Sequence, residues 1–572
     1  MQKKWVIAEP ITQEFQYRFP EIHPVILQLL HNRGIKTQQE IDEFLNPDWG
    51  EDIHDPFLFH DMRKAVERIS NAIERKESIV VYGDYDADGV CSATLLYDIL
   101  TALGAHHVHV HLPHRETEGY GLNMAAVKEL IKKRINLIIT CDCGTSNVPE
   151  ITAAQEKGID VIVTDHHHDP AVLPEPFAFI NPQLSRERYP FRYLAGSGVA
   201  FKLAQALVAH DKKHAKKLSD GYEKWLLDLV AISTVTDMMR LVGENRTLVH
   251  YGLVVLRKSR RVGIQELVRV MGGNLEKLDT FSLGFQIGPR LNAAGRVDHA
   301  NVAFELLIEK DRERAKVFAE KLNQKNKQRQ SMTESMVKDA EKQLGTVTNS
   351  KKILFVKHKS WSIGLIGLVA GRLADRYHRP VFALTYRGTE LVASGRSIPQ
   401  FDITQSLVDN ASLFTRFGGH AQACGFTMPG TAYDQFIDTF TRVGKKHIGD
   451  ADLTPSLETD MEIRLEDITW DLYESIEKFE PFGENNRQPR FIARGVTLAD
   501  VQPVGKDGKH LRLLVTHASE VTRKVIAFGF GNERKKHFPV GKKIDMVFEV
   551  SVNEWSGSRE LQLKLIDMNP LQ

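Results

Sequence analysis

The sequence predicts an α/β protein with a doubly wound parallel sheet, a second α/β unit and a small C-terminal β-barrel of OB type. Three observations support this fold class. From Ser78 to about Ile180, short apolar runs alternate with helical segments, which is the order of a parallel sheet. A second α/β pattern begins at Lys351. After residues 481–486 the pattern changes to short alternating strands, as in a small barrel.

The first sheet is predicted to gather acidic residues at one edge. Its buried strands are predicted at Ile79–Val81, Val108–Leu112, Leu137–Thr140 and Val161–Thr164. Helical spacing is present between them, at Ser92–Leu103, Ala125–Arg134 and Glu150–Lys157. Asp84, Asp142 and Asp165 follow three of these strands. Because ligands bind outside the carboxyl ends of parallel strands, we expect these acids to meet there.

The rest of the chain divides by composition. Residues 312–342 are strongly charged, and we interpret them as a solvated connecting helix rather than a nucleic-acid-binding face. The barrel strands are predicted at Phe491–Leu498, His510–Thr516, Val521–Phe528, Lys543–Val550 and Glu560–Ile566. The predicted divisions are an N-terminal segment 1–50, a first domain 51–310, the helix 311–345, a second α/β domain 346–455, and a linker with the barrel 456–572.

Composition restricts the class of protein. The 572 residues contain 42% hydrophobic and 26% charged residues, as in a soluble multidomain protein. The net charge of +1 gives no global attraction to nucleic acid and leaves local basic patches open. The four cysteines form no CxxC pair, which favours reduced thiols in the cytoplasm. No secretory signal or membrane span is expected.

The strongest chemical signal is the run Gly83–Gly89, which places Asp84, Asp86 and Asp88 within five positions. Adjacent carboxylates oppose each other's ionisation unless cations compensate them. Hard oxygen ligands of this kind bind Mg²⁺ and Mn²⁺. A second cluster, Asp165–Asp169, contains three consecutive histidines. Together the clusters predict a hydrolase that uses divalent metal ions.

These motifs resemble the DHH phosphoesterase superfamily, named after the motif that Asp165–His167 forms here. Within it, the sequence resembles the bacterial RecJ family of single-strand-specific exonucleases. The matching stretches span almost the whole chain in the family's order: Gly83–Gly89, Cys141–Gly144, Asp165–His167, Gly196–Ala200, Asp237, Gly288–Arg296, Ser394–Ser397 and Gly418–His420. The resemblance implies a DHH domain, a DHHA1 domain and an OB domain.

The resemblance also implies two divalent cations, Mn²⁺ or Mg²⁺. Their implied ligands are Asp84, Asp86, Asp142, His166 and Asp237. Imidazole beside carboxylate favours Mn²⁺. Asp88 and Asp165 are expected to orient these ligands. His167 is a candidate for contacting the scissile phosphate or protonating the leaving oxygen, and we place it with Asp142 in the catalytic set.

A further set of residues suits binding of the strand. It consists of Arg115, Arg290, Asn292, Arg296, Ser394, Arg396, Gly418, Gly419 and His420. The arginines offer planar donors to phosphodiester oxygens, and the glycines let backbone amides approach an anion. On the barrel, the candidates for strand contact are Arg512, Lys524, Phe528 and Trp555. The alternating histidines at 107, 109 and 111 are interpreted as an edge strand rather than a metal cluster.

The function implied by the resemblance is a metal-dependent 5′→3′ exonuclease that degrades single-stranded DNA to 5′-mononucleotides in repair and recombination. Its DNA is expected to carry a 5′-phosphate, and its expected protein partners are a single-strand-binding protein and a repair helicase. One alternative is a nanoRNase or cyclic-dinucleotide phosphodiesterase with the same DHH–DHHA1 pair. The other is a non-catalytic single-strand-binding scaffold. The barrel argues against the first alternative and the intact acidic set against the second.

Overall fold

A computed structural model describes residues 3–517, 521–531, 538–555 and 557–570, except for the side chain of Trp555. The chain divides into two compact units. The first contains residues 53–239 and 248–455. The second contains the described parts of residues 2–52, 240–247 and 456–572. The N-terminal residues therefore fold with the C-terminal part of the chain.

The strands are β1 Lys4–Ile7, β2 Ser78–Tyr82, β3 His107–His111, β4 Leu137–Cys141, β5 Asp160–Thr164, β6 Ala178–Ile180, β7 Leu354–Lys357, β8 Val381–Arg387, β9 Glu390–Arg396, β10 Arg416–His420, β11 Ala423–Pro429, β12 Ser456–Thr459, β13 Met461–Glu462, β14 Phe491–Val504, β15 His510–Thr516, β16 Thr522–Ala527, β17 Lys543–Trp555 and β18 Ser558–Pro570. The helices are α1 Gln13–Tyr17, α2 Pro24–Asn32, α3 Gln38–Leu45, α4 Met62–Glu74, α5 Ala87–Ala102, α6 Met124–Lys132, α7 Val148–Gln155, α8 Gly196–His210, α9 Lys212–Ala215, α10 Leu227–Thr236, α11 Gly243–Arg257, α12 Val262–Met271, α13 Thr280–Ser282, α14 Gly288–Val297, α15 Asn301–Ile308, α16 Arg312–Leu344, α17 Ile363–Tyr377, α18 Ile403–Val408, α19 Tyr433–His447 and α20 Trp470–Glu477.

The first unit contains a five-stranded parallel sheet with the order β3-β2-β4-β5-β6. Helices α6 and α7 pack on one face, and α5 and α8 contact the same strands. Because both faces are covered, the central strand β4 is buried at every position, which explains its continuous apolar run. The four predicted strands are confirmed, and the histidines of β3 lie on an edge strand, as expected.

A second sheet in the same unit has the order β10-β11-β9-β8-β7. Only β7 and β8 pair in parallel, and the other pairs are antiparallel. Its core contains Phe382, Phe436 and Phe440, all fully buried. Helix α16, of 33 residues, precedes this sheet and is the predicted connecting helix. The prediction of a second α/β domain joined by a long helix is confirmed.

The second unit is built around the C-terminal barrel. Strands β13-β14-β15-β16-β18-β17 follow one another, and an additional pairing of β14 with β17 closes the barrel. Helices α2, α3 and α20 pack against its core. Strand β1 pairs in parallel with β12, so that Lys4 lies opposite Ser456. The OB-type barrel is therefore confirmed, and the N-terminal helices belong to its packing. Among the described residues, no helix has the length and apolar character needed to cross a membrane.

Candidate metal centre

The carboxyl ends of neighbouring parallel strands bring the predicted acids together. Asp84 follows β2, Asp142 follows β4 and Asp165 follows β5, and all three are buried. Asp142 has a φ of 60°, a left-handed conformation that is uncommon for residues other than glycine. Backbone strain of this kind often occurs at functional sites. The edge of the sheet is therefore a candidate site on geometric grounds alone.

Helix α5 begins at this edge, earlier than the predicted start at Ser92. Asp86 is its N-cap residue, and its Oδ1 accepts hydrogen bonds from the amides of Asp88 (2.9 Å) and Gly89 (3.1 Å). A carboxylate at this position satisfies amides of the first helical turn and interacts favourably with the helix dipole. The cap fixes the loop that carries Asp84 and Asp86 at the end of the sheet.

Several carboxylates and imidazoles lie close enough to share a cation. Three groups of described residues have ligand atoms within 4.8 Å of one another: Asp84, Asp86 and Asp142; Asp88, His166 and Asp237; and Asp142, His166 and His167. His166 links them, because its Nε2 lies 3.1 Å from Asp142 Oδ1 and 3.7 Å from Asp237 Oδ2. All five residues predicted as metal ligands thus lie at one site. Their roles as ligands remain predictions.

The chemistry of this cluster fits divalent cations. Asp84 Oδ1 is buried and has no hydrogen-bond partner. Burial, and then the neighbouring carboxylates, raise the pKa of Asp84, Asp142 and Asp237 well above the usual aspartate value. A bound cation would give Asp84 Oδ1 a partner and would offset the cost of ionising these neighbouring buried carboxylates. Four carboxylates and one imidazole suit Mg²⁺ or Mn²⁺, and the imidazole favours Mn²⁺.

Asp88 is connected to more protein donors than its neighbours. Its carboxylate accepts hydrogen bonds from the amides of Gly196 (2.8 Å) and Ser197 (2.9 Å). The hydroxyls of Ser92 and Ser233 also donate to it. Asp88 thereby ties the start of α8 and the middle of α10 to α5. Its oxygens are largely occupied by protein donors, which suits the predicted supporting role better than direct ligation.

The carboxylate of Asp165 also accepts several hydrogen bonds from protein donors. Its Oδ2 accepts a hydrogen bond from the amide of Thr145 (2.9 Å), and its Oδ1 accepts one from the amide of His166 (2.7 Å). The ring of His167 lies with Nδ1 2.8 Å from the same Oδ1. Burial opposes ionisation of Asp165, but His167 and these donors lower its pKa below the usual value. Asp165 therefore orients the two following histidines.

His167 is poised to carry a proton. Burial alone would lower its pKa, but the charge of Asp165 and the hydrogen bond to it raise the pKa of His167 to about 9. The hydroxyl of Tyr120 lies 3.0 Å from His167 Nδ1 and donates to the backbone oxygen of Asp142 at 3.1 Å. His167 is thus held in place by residues on both sides, and its side chain remains 40% exposed.

Arginines from both α/β domains of the first unit approach the cluster. Arg296 donates to the backbone oxygen of Gly364 at 3.1 Å, which joins α14 to the start of α17. Arg396, on β9, donates to Ser394 Oγ at 3.1 Å. Burial first, and then Arg115, Arg329 and Arg396, lower the pKa of Arg296 to about 10. Within the described residues, none of Arg115, Arg296 and Arg396 has a carboxylate oxygen within 4.0 Å. These charges are suited to a phosphate.

The remaining predicted residues lie around the same cleft. Gly418, Gly419 and His420 are exposed on the edge strand β10, and the ring of His420 lies 5.9 Å from that of His168. Asn292 Oδ1 accepts a hydrogen bond from the amide of Ala87 (2.8 Å) at the start of α5. Arg290 donates to Asn323 Oδ1 on α16 at 3.1 Å. The structure thus brings these predicted residues around one cleft and gives Asn292 a structural contact.

Sequence reasoning missed several residues of this site. Tyr120 is not among the predicted site residues, although its hydroxyl contacts His167 and the backbone oxygen of Asp142. Ser197 and Ser233 come from separate helices, and only the fold brings them to Asp88. Arg329 lies on the charged helix that was interpreted as solvated. An alternation of buried and charged positions along that helix is the signal that could have identified it.

The barrel residues that were predicted to contact the DNA strand differ in how exposed and how paired they are. Phe528 is 56% exposed and packs edge-on against His510. Lys524 forms an ion pair with Glu560 at 2.8 Å, and Arg512 is hydrogen-bonded to Gln502. The side chain of Trp555 lies outside the described residues. Exposed Trp470, with the guanidinium of Arg559 5.5 Å from its ring, is a further aromatic that was not predicted.

Gly89→Ala is expected to damage the metal centre. A Cβ atom at Gly89 would lie 2.5 Å from the backbone nitrogen and oxygen of Asp84, so the loop carrying Asp84 must shift. Overpacking of this kind costs about 1–3 kcal/mol. We expect a lower melting temperature and weaker Mn²⁺ binding by calorimetry. The control is Gly371→Ala on α17, whose new Cβ would contact only Arg396 Cγ at 3.9 Å. Equal behaviour of the two variants would refute the packing argument.

The fold and the site together define a class of protein. A parallel sheet with a carboxylate–imidazole edge, joined by a long helix to an arginine-bearing α/β domain, is a metal-dependent phosphoesterase of the DHH type. Models of three families match the chain: the N-terminal domain of the DHH family at residues 78–234, the DHHA1 domain at 350–446 and the RecJ OB domain at 459–567.

Whole-chain comparisons give the particular family. The single-stranded-DNA-specific exonuclease RecJ of Bacillus subtilis strain 168 is 34% identical over 568 residues, covering 99% of this chain and 70% of that protein. The Haemophilus influenzae protein of the same name is 31% identical, covering 96% of both chains. The crystal structure of RecJ from Thermus thermophilus in complex with Mn²⁺ matches with a TM-score of 0.83 and 25% identity, covering 100% of this chain and 80% of that chain. The chain belongs to the RecJ family of single-stranded-DNA-specific exonucleases.

Proposed function

We propose that this protein is a metal-dependent exonuclease that degrades single-stranded DNA from its 5′ end and releases 5′-mononucleotides. The observation that carries the proposal is a buried carboxylate–imidazole cluster that faces arginines without carboxylate partners among the described residues. The cluster suits divalent cations, and the arginines suit phosphodiester oxygens. The names of the RecJ relatives supply the substrate class. Removal of a 5′-mononucleotide breaks the bond between phosphorus and the 3′-oxygen of the terminal nucleotide.

The metal ligands in this proposal are Asp84, Asp86, Asp142, His166 and Asp237. Bound Mn²⁺ or Mg²⁺ ions would lower the pKa of a water molecule and neutralise charge on the phosphoryl group. Crystal structures of RecJ from Thermus thermophilus have been determined in complex with Mn²⁺ and with Mg²⁺. The protein's own contribution is to hold the five ligands rigidly. Asp86 fixes the loop, and Asp88 ties three helices to it.

His167 is the proposed proton donor. In the metal-free protein, the raised pKa of His167 keeps the ring protonated at neutral pH, so both ring nitrogens donate. One proton goes to Asp165 and the other is available to the phosphodiester. Transfer of that proton to the departing 3′-oxygen gives the terminal nucleotide a neutral hydroxyl. A positioned acid of this kind contributes about 10²–10⁴-fold to a rate.

The arginines are proposed to position the strand end. Arg396, Ser394 and the amides at Gly418 and Gly419 would bind the terminal phosphate from the DHHA1 side. Arg115 and Arg296 would bind the next phosphate from the DHH side. Arginine suits this task because its planar donors match phosphate oxygens and remain charged when partly buried. A 5′-phosphate is therefore expected to improve binding.

We further propose that the OB barrel binds the single strand, with exposed Phe528 and Trp470 stacking on bases. The cellular setting of the proposal is repair and recombination in the cytoplasm. A helicase that exposes single strands and a protein that coats them are the proposed protein partners. Pull-down of such proteins by the intact chain, and its loss on removal of the partner's binding segment, would test this part separately.

The proposed reaction is tested with a single DNA strand labelled at either end, with and without a 5′-phosphate, in Mn²⁺. We expect a 5′-label to leave at once as a mononucleotide and a 3′-label to persist on shortening strands. Duplex of the same sequence should be cut far more slowly. Initial release of the 3′-label would contradict the polarity. Cleavage of dinucleotides alone would instead support the nanoRNase or cyclic-dinucleotide phosphodiesterase alternative.

A further inference from the structure

Two phenylalanines form an exposed stack close to the metal centre. The rings of Phe281 and Phe285 lie 4.8 Å apart with their planes 26° from parallel. Phe281 is 58% exposed to solvent and Phe285 is 71% exposed. The residues beside them, Thr280, Ser282 and Gln286, are polar. Two large aromatic side chains exposed side by side in a polar setting are unusual unless they bind something.

The backbone of this pair is fixed to the metal centre. Phe285 lies in a π-helical turn, Leu283–Ile287, that leads directly into α14. A Cβ atom at Gly288 would lie 2.1 Å from Thr236 Cγ2, so this turn packs tightly against the end of α10. The next residue of the chain after Thr236 is Asp237, a proposed metal ligand. The aromatic pair therefore has a fixed position relative to the reaction site.

Arg290 on α14 lies beside the same segment, since its Nη1 donates to the backbone oxygen of Gln286 at 2.7 Å, and Arg329 on α16 and Arg372 on α17 are charged neighbours. Arg290 on α14 donates to Asn323 Oδ1 of α16 at 3.1 Å, and Arg329 on α16 donates to Asn326 Oδ1 at 2.9 Å. Burial first, and then the charges of Arg372 and Arg290, lower the pKa of Arg329. In the part of the chain that the structure describes, no carboxylate oxygen lies within 4.0 Å of these three arginines.

This row of charges continues to the cleft. Arg329 is also among the groups that lower the pKa of Arg296, and Arg115 and Arg396 are the others. Neighbouring arginines without carboxylates repel one another, and an anion between them removes that cost. A single strand carries one phosphate per nucleotide, so it presents several negative charges to such a group of arginines. The connecting helix α16 is not solvated on all sides in its central turns, since Asn326 is buried and Arg329 half-buried.

We propose that Phe281 and Phe285 stack on bases, and that Arg290, Arg329 and Arg372 bind backbone phosphates, of a stretch of single-stranded DNA that is not yet being cut. This holding site rests on the proposed function, because it assumes that a single strand is the substrate. Aromatic rings accept any base, and arginines bind any phosphate, so the site is indifferent to sequence. Its effect is to keep a long strand bound after each nucleotide leaves.

A single strand fits this surface better than a protein partner does. Aromatic stacking surfaces beside rows of cations are typical of single-strand-binding proteins. A protein-binding patch needs a wider apolar centre than two rings surrounded by polar residues. The charge also favours a polyanion, since the three arginines have no acidic neighbours within ion-pair distance among the described residues.

The test compares a Phe281→Ala/Phe285→Ala variant and an Arg372→Gln variant with the wild type. The substrates are 5′-phosphorylated oligothymidylates of two to twenty nucleotides in Mn²⁺. We expect the wild-type kcat/KM to rise with the length of the substrate. On the longest substrates, kcat/KM of both variants should be about tenfold to hundredfold lower than that of the wild type. Cleavage of the shortest substrate should be unchanged. The matched controls are Tyr386→Ala, an exposed aromatic on β8, and Arg314→Gln, which is ion-paired on α16.

Binding is measured separately in EDTA, with 2-aminopurine placed at successive positions of a 5′-phosphorylated strand. Stacking on the pair should quench the fluorescence at one or two internal positions, and the Phe281→Ala/Phe285→Ala variant should abolish that quenching. Equal length dependence and equal quenching in variants and wild type would overturn the holding site. If the wild type cleaved no strand, the proposed function would fail, and the quenching would still decide the holding site. Loss of a dimer in the phenylalanine variant, with unchanged cleavage, would identify a contact between copies and overturn the proposal.

Discussion

The Asp142→Asn variant is expected to lose Mn²⁺-dependent cleavage of single-stranded DNA and, without metal, to melt at a higher temperature than the wild type. Asp142 is buried, and burial followed by the charges of Asp88, Asp86, Asp237 and Asp84 raises its pKa well above the usual value. Ionisation of Asp142 therefore destabilises the metal-free fold, and the isosteric amide, which does not ionise, removes that cost. We expect the loss in kcat/KM to be at least about 100-fold, because a proposed metal ligand is removed.

The carboxylate of Asp142 also makes the difference in melting temperature between wild type and Asp142→Asn depend on pH, in a direction that can be stated. Because the folded pKa of Asp142 lies above its unfolded value, its destabilising effect begins to fall as the pH drops below the folded pKa and is gone below the unfolded pKa. The melting temperatures of wild type and variant, measured in EDTA, should therefore converge as the pH is lowered from neutral. Mn²⁺ should raise the melting temperature of the wild type and leave that of Asp142→Asn nearly unchanged.

The control for this variant is Asp169→Asn, which changes an exposed aspartate near the same edge of the sheet. It should leave cleavage, Mn²⁺ affinity by calorimetry and melting temperature at wild-type values. Cleavage by Asp142→Asn at the wild-type rate would remove Asp142 from the metal centre. A lower melting temperature in EDTA would show that the carboxylate stabilises the fold by contacts other than those described.

The first sheet could be predicted from the sequence because its signal is local. Each strand is a short apolar run, and each acid follows a strand within a few residues, as Asp84 follows β2. Parallel topology then places these residues at one edge without further information. The five residues predicted as ligands accordingly lie together in the structure. The same reasoning gave no way to rank Asp84, Asp86 and Asp88, because all three share one loop.

What separates these aspartates is tertiary contact. Asp88 accepts hydrogen bonds from Ser197 on α8 and Ser233 on α10, residues that lie more than a hundred positions along the chain. Asp84 Oδ1 has no such partner. A sequence shows that three carboxylates are adjacent and does not show which of them the fold supplies with donors. Their different proposed roles therefore depend on the structure.

Pairing between strands that are distant in the chain explains the largest difference between the predicted and the observed domain organisation. Residues 1–50 were expected to form a separate N-terminal segment, whereas β1 pairs with β12, with Lys4 opposite Ser456. Nothing in either strand specifies the other, because register is set by the packing of the whole unit. Helix α16 gives a similar lesson. Its charged composition favoured a solvated helix, but Asn323 accepts a hydrogen bond from Arg290 of α14.

The His167→Asn variant is expected to lower kcat for single-stranded DNA by about 10²–10⁴-fold while leaving the stabilisation by Mn²⁺ intact. His167 is held by Asp165 and Tyr120, and its pKa of about 9 keeps it protonated at neutral pH. It is not among the five proposed ligands, so the rise in melting temperature with Mn²⁺ should persist. His168→Asn, which changes the adjacent exposed histidine, is the matched control and should retain wild-type kcat.

A change of leaving group separates acid catalysis from simple phosphate binding. If His167 protonates the departing 3′-oxygen, a strand with a 3′-sulfur at the scissile position needs no such proton, because a thiolate leaves readily. The His167→Asn variant should then cleave the sulfur-containing strand at close to the wild-type rate. An equal loss on the oxygen and sulfur substrates would assign His167 to binding the phosphate. The proton for the 3′-oxygen would then have to come from another donor, and the Tyr120→Phe variant examines one candidate, the hydroxyl that lies 3.0 Å from His167 Nδ1.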